Sequence, residues 1–435
     1  MERFALSRMK EWKENENRKP LIIRGARQVG KTWIMKTFGQ QYFEKTAYVN
    51  FDNNARMKQV FEGDLDIERL VLSISAETGV SIEAENTLII FDEVQEVPKA
   101  LTSLKYFYEN APQYAIVAAG SLLGVALHQG TSFPVGKVDF LDLYPLNFRE
   151  FLCAMGEKQF VSMLDSCDTQ MVTVFKTKYI ERLREYYFVG GMPEVVKDFS
   201  EKKDYNRVRA IQKNLINYYQ QDFSKHAEIK LVPRLNLVWN SIPMQLAKEN
   251  KKYIYGQVRE GSRAKDFELA IQWLLDCGLI HKVQRIQKPD LPLKAYIDFD
   301  AFKLFLVDIG LLIAMTDLDA KVIIEGNKIF TEFKGALTEQ YILQQLISDV
   351  GVIPYYYSTQ NSKGEIDFLV QGKTSVIPIE VKAEENLKAK SLKACCEKYQ
   401  PSYAVRTSMS EYREQDWMTN IPLYAVKWIK NYVNQ

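Results

Sequence analysis

Nine residues constrain this chain more than any others: Arg24–Thr32, RGARQVGKT, preceded by the apolar run PLII and followed by WIMKTF, which has a helical pattern. Gly25, Gly30, Lys31 and Thr32 fit G-x-x-x-x-G-K-[ST] in the strand–loop–helix setting that motif requires. Glycines at the two fixed places let the backbone curl until successive N–H groups point into one space, at the positive end of the following helix. Lys31 adds a cation where β- and γ-phosphates would lie, and the Thr32 hydroxyl can ligate Mg²⁺. The residues expected around a nucleotide are therefore Gly25, Ala26, Arg27, Gln28, Val29, Gly30, Lys31, Thr32 and Trp33, with ATP and Mg²⁺ as the cofactors.

A chance glycine turn before a helix would leave a second segment, LIIFDEVQ, unexplained. Its apolar run delivers Asp92 and Glu93 to the end of a strand. An Asp-Glu pair after a strand is by itself most often a solvated turn. Behind a phosphate loop, Asp92 can hold magnesium, directly or through water, and Glu93 can polarise the attacking water. The next apolar run ends in AAGSLLG, so Ser121 stands where a polar residue can touch the γ-phosphate or that water; a serine after glycine is equally a turn residue. Between residues 20 and 150 the runs LIIRG, AYVNF, TLIIF, AIVAA and KVDFLDL alternate with helical segments. Buried strands alternating with helices indicate an α/β fold with a parallel sheet covered on both faces.

With 435 residues the chain is long for one core, at a prior of roughly 150 residues per domain. A helical stretch, containing KYIERLREYYF and the break VGGMPEV, follows over about 151–229. Residues 230–318 read as two helices, LNLVWNSIPMQLAKEN and SRAKDFELAIQWLLDCG, and then a hairpin, the order of a winged-helix module. Residues 319–435 mix helices with short strands. No apolar run approaches the ~20 residues of a membrane span, and no secretory leader is visible at the start. Five cysteines without a C-x-x-C pair, and three histidines not at ligand spacing, fit a reducing cytosol and argue against thiolate or imidazole metal sites. A net charge of +2 leaves any polyanion contact to local patches. Arg259, Arg263 and Lys265, at the start of the second helix of the winged-helix candidate, form one such patch; a solvated helix start explains them equally.

The segments GARQVGKT, FDEVQEVP, AGSLLG, LYPLNFREFL and GGMPEVV together resemble a widespread prokaryotic group of AAA+-type ATPases whose C-terminal half is filed as a domain of unknown function. The resemblance runs over nearly the whole chain. It implies a RecA-like core (residues 1–150) with strand order 5-1-4-3-2, a helical lid, and a ring-like homo-oligomer in which a basic residue of one subunit reaches its neighbour's γ-phosphate. Lys137 stands where similar proteins usually carry arginine, and Arg149 is the other candidate. Lysine lacks the planar fork of an arginine finger.

A second set of carboxylates lies near the end. In IPIEVKA, Ile377, Ile379 and Val381 alternate with Glu380 and Lys382; in GEIDFLV, Ile366, Phe368 and Val370 alternate with Glu365 and Asp367. Period two puts each apolar set on one strand face and the charges on the other, where a solvated outer face is the usual explanation. Upstream, Glu339 shares a helical face with Ile342, Leu343 and Leu346, a costly position unless something pairs with it. The combination D-x₁₂-E-x-K with an upstream helical Glu resembles the PD-(D/E)xK nuclease core, a fold that includes Holliday-junction resolvases. That resemblance implies Mg²⁺ held by Asp367, Glu380 and Glu339, with Lys382 activating water. Two functions follow as expectations. One is an ATP-driven machine acting on DNA, including branched DNA; the other is a nucleotide-controlled interaction switch with a silent C-terminal domain.

Overall fold

The computed structural model describes residues 1–120, 124, 133–248, 251–324, 331–359, 364–384 and 389–435. These form two compact units: Glu2–Tyr144 with Asp276–Leu279, and Pro145–Leu275 with Ile280–Gln435.

The apolar runs of the first unit become β1 (Leu21–Arg24), β2 (Lys45–Asn50), β3 (Thr87–Asp92), β4 (Ala115–Ala119) and β5 (Asp139–Asp142), after an N-terminal helix α1 (Ala5–Glu14). Every pairing is parallel and the order is β2-β3-β4-β1-β5, which read from the other edge is 5-1-4-3-2. β3 and β4 are buried along their whole length, which is why TLIIFD and AIVAA show no polar alternation. On one face, Phe51, Phe61 and Phe91 meet edge to face at 5.4–5.6 Å and join helices α3 (Ala55–Glu62) and α5 (Pro98–Asn110) to the sheet, with α4 (Ile67–Thr78) beside them. α2 (Lys31–Tyr42) follows the glycine loop, its Ile34, Met35 and Phe38 fully buried. β4 lies between β1 and β3, so the carboxyl ends of both flanking strands open on one edge, the usual ligand position in such sheets.

The second unit starts with helices, Phe148–Ala154, Lys176–Val189 and Tyr205–His226 among them. Then come α6 (Val232–Leu246), α7 (Tyr255–Val258), α8 (Ala264–Asp276), the antiparallel pair β6 (Ile280–Ile286) and β7 (Ile297–Leu306), and α9 (Ile309–Met315). Next are α10 (Thr331–Gln345), β8 (Tyr355–Ser358), β9 (Glu365–Gln371), β10 (Val376–Val381), α11 (Lys390–Tyr399), β11 (Val405–Ser408), β12 (Arg413–Gln415) and β13 (Met418–Pro422). β6 pairs in parallel with β8, so the hairpin continues the C-terminal strands in one eight-stranded sheet, β12-β13-β11-β10-β9-β8-β6-β7. The boundaries drawn from the sequence at 229 and 318 therefore fall inside one unit. The apolar IGLLIAM is α9, buried from Ile309 through Ala314. The GGMP break is anchored by Asp308, whose Oδ2 accepts from Gly191 N at 2.6 Å while Oδ1 caps α9 at Leu311 N. Burial raises the Asp308 carboxyl to about 6, against three backbone N–H donors and the Gln344 amide. Among the described residues no helix is long and apolar enough to cross a membrane.

Candidate functional site

In the first unit, β1 ends in the glycine loop and β3 ends in Asp92, at the same sheet edge. Gly25 has φ +148°, and a Cβ there would lie 2.1 Å from the Leu143 carbonyl, so only glycine lets the loop leave β1 against β5. Gly30 caps α2 in the left-handed region at φ 93°. Lys31 is 6% exposed, and its Nζ donates to the Gly25 and Ala26 carbonyls at 2.9 and 2.7 Å. Burial lowers its pKa to about 8, although the Glu93 and Asp92 carboxylates pull upward. Thr32 Oγ1 donates to Asp92 Oδ2 at 2.7 Å. The hydroxyl and the carboxylate that the sequence reading expects to act together are thus in contact.

Glu93 sits in the left-handed region at φ 51° and accepts from Gln95 Nε2 at 2.6 Å. A non-glycine residue held in that conformation stores backbone strain of roughly 1–3 kcal/mol, which is common at functional positions. Hard oxygens from Thr32 and Asp92, a lysine bonded only through carbonyls, and backbone N–H groups at a helix start fit a Mg²⁺–nucleotide. Trp33, at 42% exposure, has its ring on the surface of α2. Ser121 lies outside the described residues.

Two residues of this site carried no sequence signal. Tyr48, on β2, donates its hydroxyl to Asp92 Oδ2 at 2.9 Å, the oxygen that Thr32 also uses. Its phenol pKa is raised, first by burial and then by the Asp92 charge. Arg3 precedes the first helix and donates to the Val29 carbonyl of the loop at 3.0 Å and to the Tyr144 carbonyl at 2.6 Å. The finger candidates are tied elsewhere. Lys137 Nζ pairs with Glu109 Oε1 at 3.0 Å. Arg149 is buried in the second unit between Asp349 (2.8 Å) and Asp165 (2.6 Å), an ion-pair anchor and not an exposed cation.

The C-terminal carboxylates are arranged differently from the expectation. β9 and β10 are antiparallel with Phe368 opposite Ile379, so Asp367 and Glu380 lie one residue beyond that pair on the two strands. The backbones are neighbours, and the two side chains have different partners. Asp367 Oδ2 accepts from Val381 N at 2.7 Å, and its surroundings are Glu339, Lys303 and Lys251. Glu380 Oε1 pairs with Lys382 Nζ at 2.6 Å, and Oε2 accepts from Leu392 N of α11 at 3.3 Å. Among the described residues no three His, Cys, Asp or Glu side chains are placed to hold a metal ion. Of the expected ligand set, Glu339 and Asp367 interact through their side chains, while Glu380 is engaged by Lys382 and Leu392.

The β8–β9 pairing explains part of this, because its register shifts between Tyr355 and Tyr357. The shift breaks strict alternation on β9, and Ile366 and Leu369 join one apolar cluster with Leu392 and Cys395 while Phe368 packs near Phe305. Nor is the outer face of β10 solvated, since every residue from Val376 to Val381 is buried.

Lysines fill the carboxylate pocket. Lys303, on β7, is fully buried; its Nζ contacts Glu365 Oε1 and lies 3.6 Å from Glu339 Oε2. Lys251 contacts the other Glu339 oxygen. Burial acts to lift the Glu339 pKa, but the two ammonium groups outweigh it and hold the carboxyl below its ordinary value. Asp367 moves the opposite way, raised well above the carboxylate range by burial and the Glu339 charge. Neither lysine was legible as a partner, because both lie far from the motif in sequence. Farther along, Arg259, Arg263 and Lys265 are exposed around the start of α8, with Arg263 N capped by Asp266 Oδ2 at 2.8 Å.

Comparison with known families divides the chain in three. Residues 17–152 match the AAA domain, residues 180–322 match a domain of unknown function (DUF8612), and residues 334–426 match another (DUF4143). No curated relative matches the chain. Solved structures with similarity include the Walker-type ATPase PABY2304 of Pyrococcus abyssi, at 15% identity over 72% of this chain and 95% of that one, TM-score 0.44. The Aeropyrum pernix Orc1 protein in complex with DNA matches at 13% identity over 72% and 91%, TM-score 0.27. Cdc6p from Pyrobaculum aerophilum matches at 10% over 72% and 92%, TM-score 0.25. These scores are too low to carry an argument about shape.

Proposed function

We propose that this chain, whose residues 17–152 match the AAA domain, binds and hydrolyses ATP and couples that cycle to DNA. The observation that carries the nucleotide half is the 2.7 Å contact of Thr32 with Asp92, beside a buried Lys31 held by carbonyls alone. Lys31 would exchange two carbonyl partners for phosphate oxygens, and the loop N–H groups would orient the chain of phosphates. Thr32 and Asp92 would hold Mg²⁺, which would supply positive charge against the phosphates. Glu93 then orients the attacking water and accepts its proton.

The DNA half rests on the exposed trio Arg259, Arg263 and Lys265 at the start of α8, with a hairpin following, on a chain of net charge only +2. Cations at a helix start beside a hairpin suit phosphate contact more than base readout. A homo-oligomer, as in rings of similar proteins, belongs to the same reading. ATP turnover should be measured without DNA and with single strands, duplex and four-way junctions, over a salt series. Stimulation that falls steeply with salt supports the machine, because phosphate contact releases counterions. Turnover indifferent to every DNA sinks it.

A specific observation favours a second reading, the nucleotide-controlled switch. Glu339 and Asp367 have lysine neighbours where a nuclease would hold metal, and Glu380 is engaged by Lys382 and Leu392. A C-terminal unit so satisfied acts as a binding module and cuts nothing. Incubation of the protein with labelled linear and four-way-junction DNA and Mg²⁺ or Mn²⁺ separates the two: cleavage lost in Glu380→Ala would return the unit to the nucleases.

A further inference from the structure

We infer that Arg3 is a positioning residue for the phosphate loop, an inference that rests on the nucleotide reading above. Arg3, just before α1, is 5% exposed. Burying a guanidinium is costly unless its donors are used. Two are spent on backbone carbonyls distant in sequence: Nη1 on Val29 at 3.0 Å and Nη2 on Tyr144 at 2.6 Å. Both of these acceptors are main-chain carbonyls. It is a clamp from one planar fork onto two segments of main chain.

Val29 is the residue before Gly30, and its side chain is fully buried. A peptide bond is planar and trans, so its C=O and N–H point in opposite directions. Fixing the Val29 carbonyl toward Arg3 therefore fixes the Gly30 N–H away from it. Gly30 itself, at φ 93°, has no side chain to restrict its rotation. Of the loop's peptide groups, this one most needs outside support, and it precedes Lys31 directly. The second carbonyl belongs to Tyr144, two residues after β5 ends, and the neighbouring Leu143 N donates to Arg24 O at 2.8 Å. One guanidinium thus braces the loop against the strand end that already crowds Gly25.

A lysine cannot replace it. An ammonium is a point donor without the fork that spans two carbonyls. The clamp should matter for binding, where the loop N–H groups must converge on phosphate. It should matter little for the hydrolytic step, which depends on Glu93.

The test measures the dissociation constant of a fluorescent ATP analogue with Mg²⁺, and kcat at saturating ATP, for wild type, Arg3→Met, Arg3→Lys and Trp12→Phe. Trp12 anchors the same helix through Nε1 to the Lys19 carbonyl at 2.7 Å, away from the loop. Trp12→Phe therefore reports what loosening the helix alone does. Melting temperatures accompany each variant, and binding is measured below the lowest of them. Arg3→Met should weaken binding about tenfold, equivalent to roughly 1.4 kcal/mol, with kcat changed less than about twofold. Arg3→Lys should lie nearer Arg3→Met than wild type, and Trp12→Phe should bind as wild type does. If Arg3→Met binds as tightly as wild type, or Trp12→Phe weakens binding equally, the positioning role is wrong and the ATP reading stands. If wild type binds no nucleotide, the ATP reading falls and takes this inference with it.

Discussion

Lys31 and Lys303 are both buried lysines, 6% and 0% exposed, and their chemistry has been driven in opposite directions. Lys31 is lowered to about 8 because burial dominates and its hydrogen bonds go to carbonyls. Lys303 is raised, because Glu339, Glu365 and Asp367 together outweigh the same burial. Carbonyl dipoles satisfy the donors of an ammonium without cancelling its charge. Carboxylates do both. The first lysine is a cation in want of an anion, as a phosphate site requires, and the second already has its anions. That contrast separates a lysine held by dipoles from one held by charges.

The contrast breaks most visibly at Lys31 and Glu93. Lys31→Ala should weaken ATP binding about a hundredfold or more, since charge-assisted hydrogen bonds of ~1.5–3 kcal/mol each are lost. Glu93→Gln should keep binding and lose roughly 10²–10⁴-fold in kcat, the usual contribution of a positioned base. Equilibrium titration beside single-turnover hydrolysis checks both. Equal loss of binding in the two variants would contradict the division of roles.

Lys303→Ala tests the other side. Removing Lys303 takes the lysine partner from Glu365 and leaves Glu339 with Lys251 alone, and should cost about 3–5 kcal/mol, read from urea unfolding of the second unit. Mg²⁺ or Mn²⁺ without nucleotide should then raise the melting temperature of Lys303→Ala and leave wild type unmoved. If wild type gains stability from the metal, and Glu339→Gln removes the gain, the pocket takes cations after all and the comparison fails.

The pH dependence follows from Lys31. In the ligand-free protein its pKa falls from the ordinary 10.5 to about 8. Between those values the unfolded chain holds more proton than the folded one, so this group's contribution to stability rises with pH through that window. Nucleotide binding has the opposite sign, since polyphosphate favours the ammonium and binding must take up a proton above pH 8. Affinity should weaken by up to about tenfold per pH unit above 8, and Lys31→Arg should flatten the profile, because arginine stays protonated. A flat wild-type profile from pH 7 to 10 would mean that Lys31 is charged before the ligand arrives.

How much of this was legible depended on distance along the chain. The strand, glycine loop and helix around Gly25–Thr32 could be read because their parts are contiguous in the chain. Asp92 and Glu93 could be read because an apolar strand delivers them to a predictable end. The strands β9 and β10 were legible from alternation, but the register shift at Tyr355–Tyr357 was not, since a single displaced residue leaves no compositional mark. The hairpin's place in the C-terminal sheet is a long-range pairing of β6 with β8, which periodicity cannot report. Lys251 and Lys303 were invisible for the same reason, and they decide the electrostatics of the second site. Tyr48 read as one more strand aromatic; only its register beside β3, where Val49 faces Phe91 and Asn50 faces Asp92, reveals the hydroxyl's target.

Tyr48→Phe gives the smallest and most discriminating effect. The hydroxyl donates to Asp92 Oδ2 at 2.9 Å while Thr32 Oγ1 donates to the same oxygen at 2.7 Å, so two neutral donors hold one carboxylate oxygen and Glu93 N holds the other at 3.1 Å. Phenylalanine keeps the ring, and with it the Lys36 ammonium 3.8 Å above its centre. What is lost is one hydrogen bond, about 1 kcal/mol. If Tyr48 positions Asp92 for metal, the Mg²⁺ concentration giving half-maximal ATP turnover should rise about fivefold, with kcat at saturating Mg²⁺ unchanged. Thr32→Val should raise it further, because that change removes a ligand as well as a donor. The opposite result is equally informative: if Tyr48→Phe lowers the Mg²⁺ requirement, the phenol competes with the ion for Oδ2. The carboxylate of the first site would then be partly closed by its own side chains, as those of the second are.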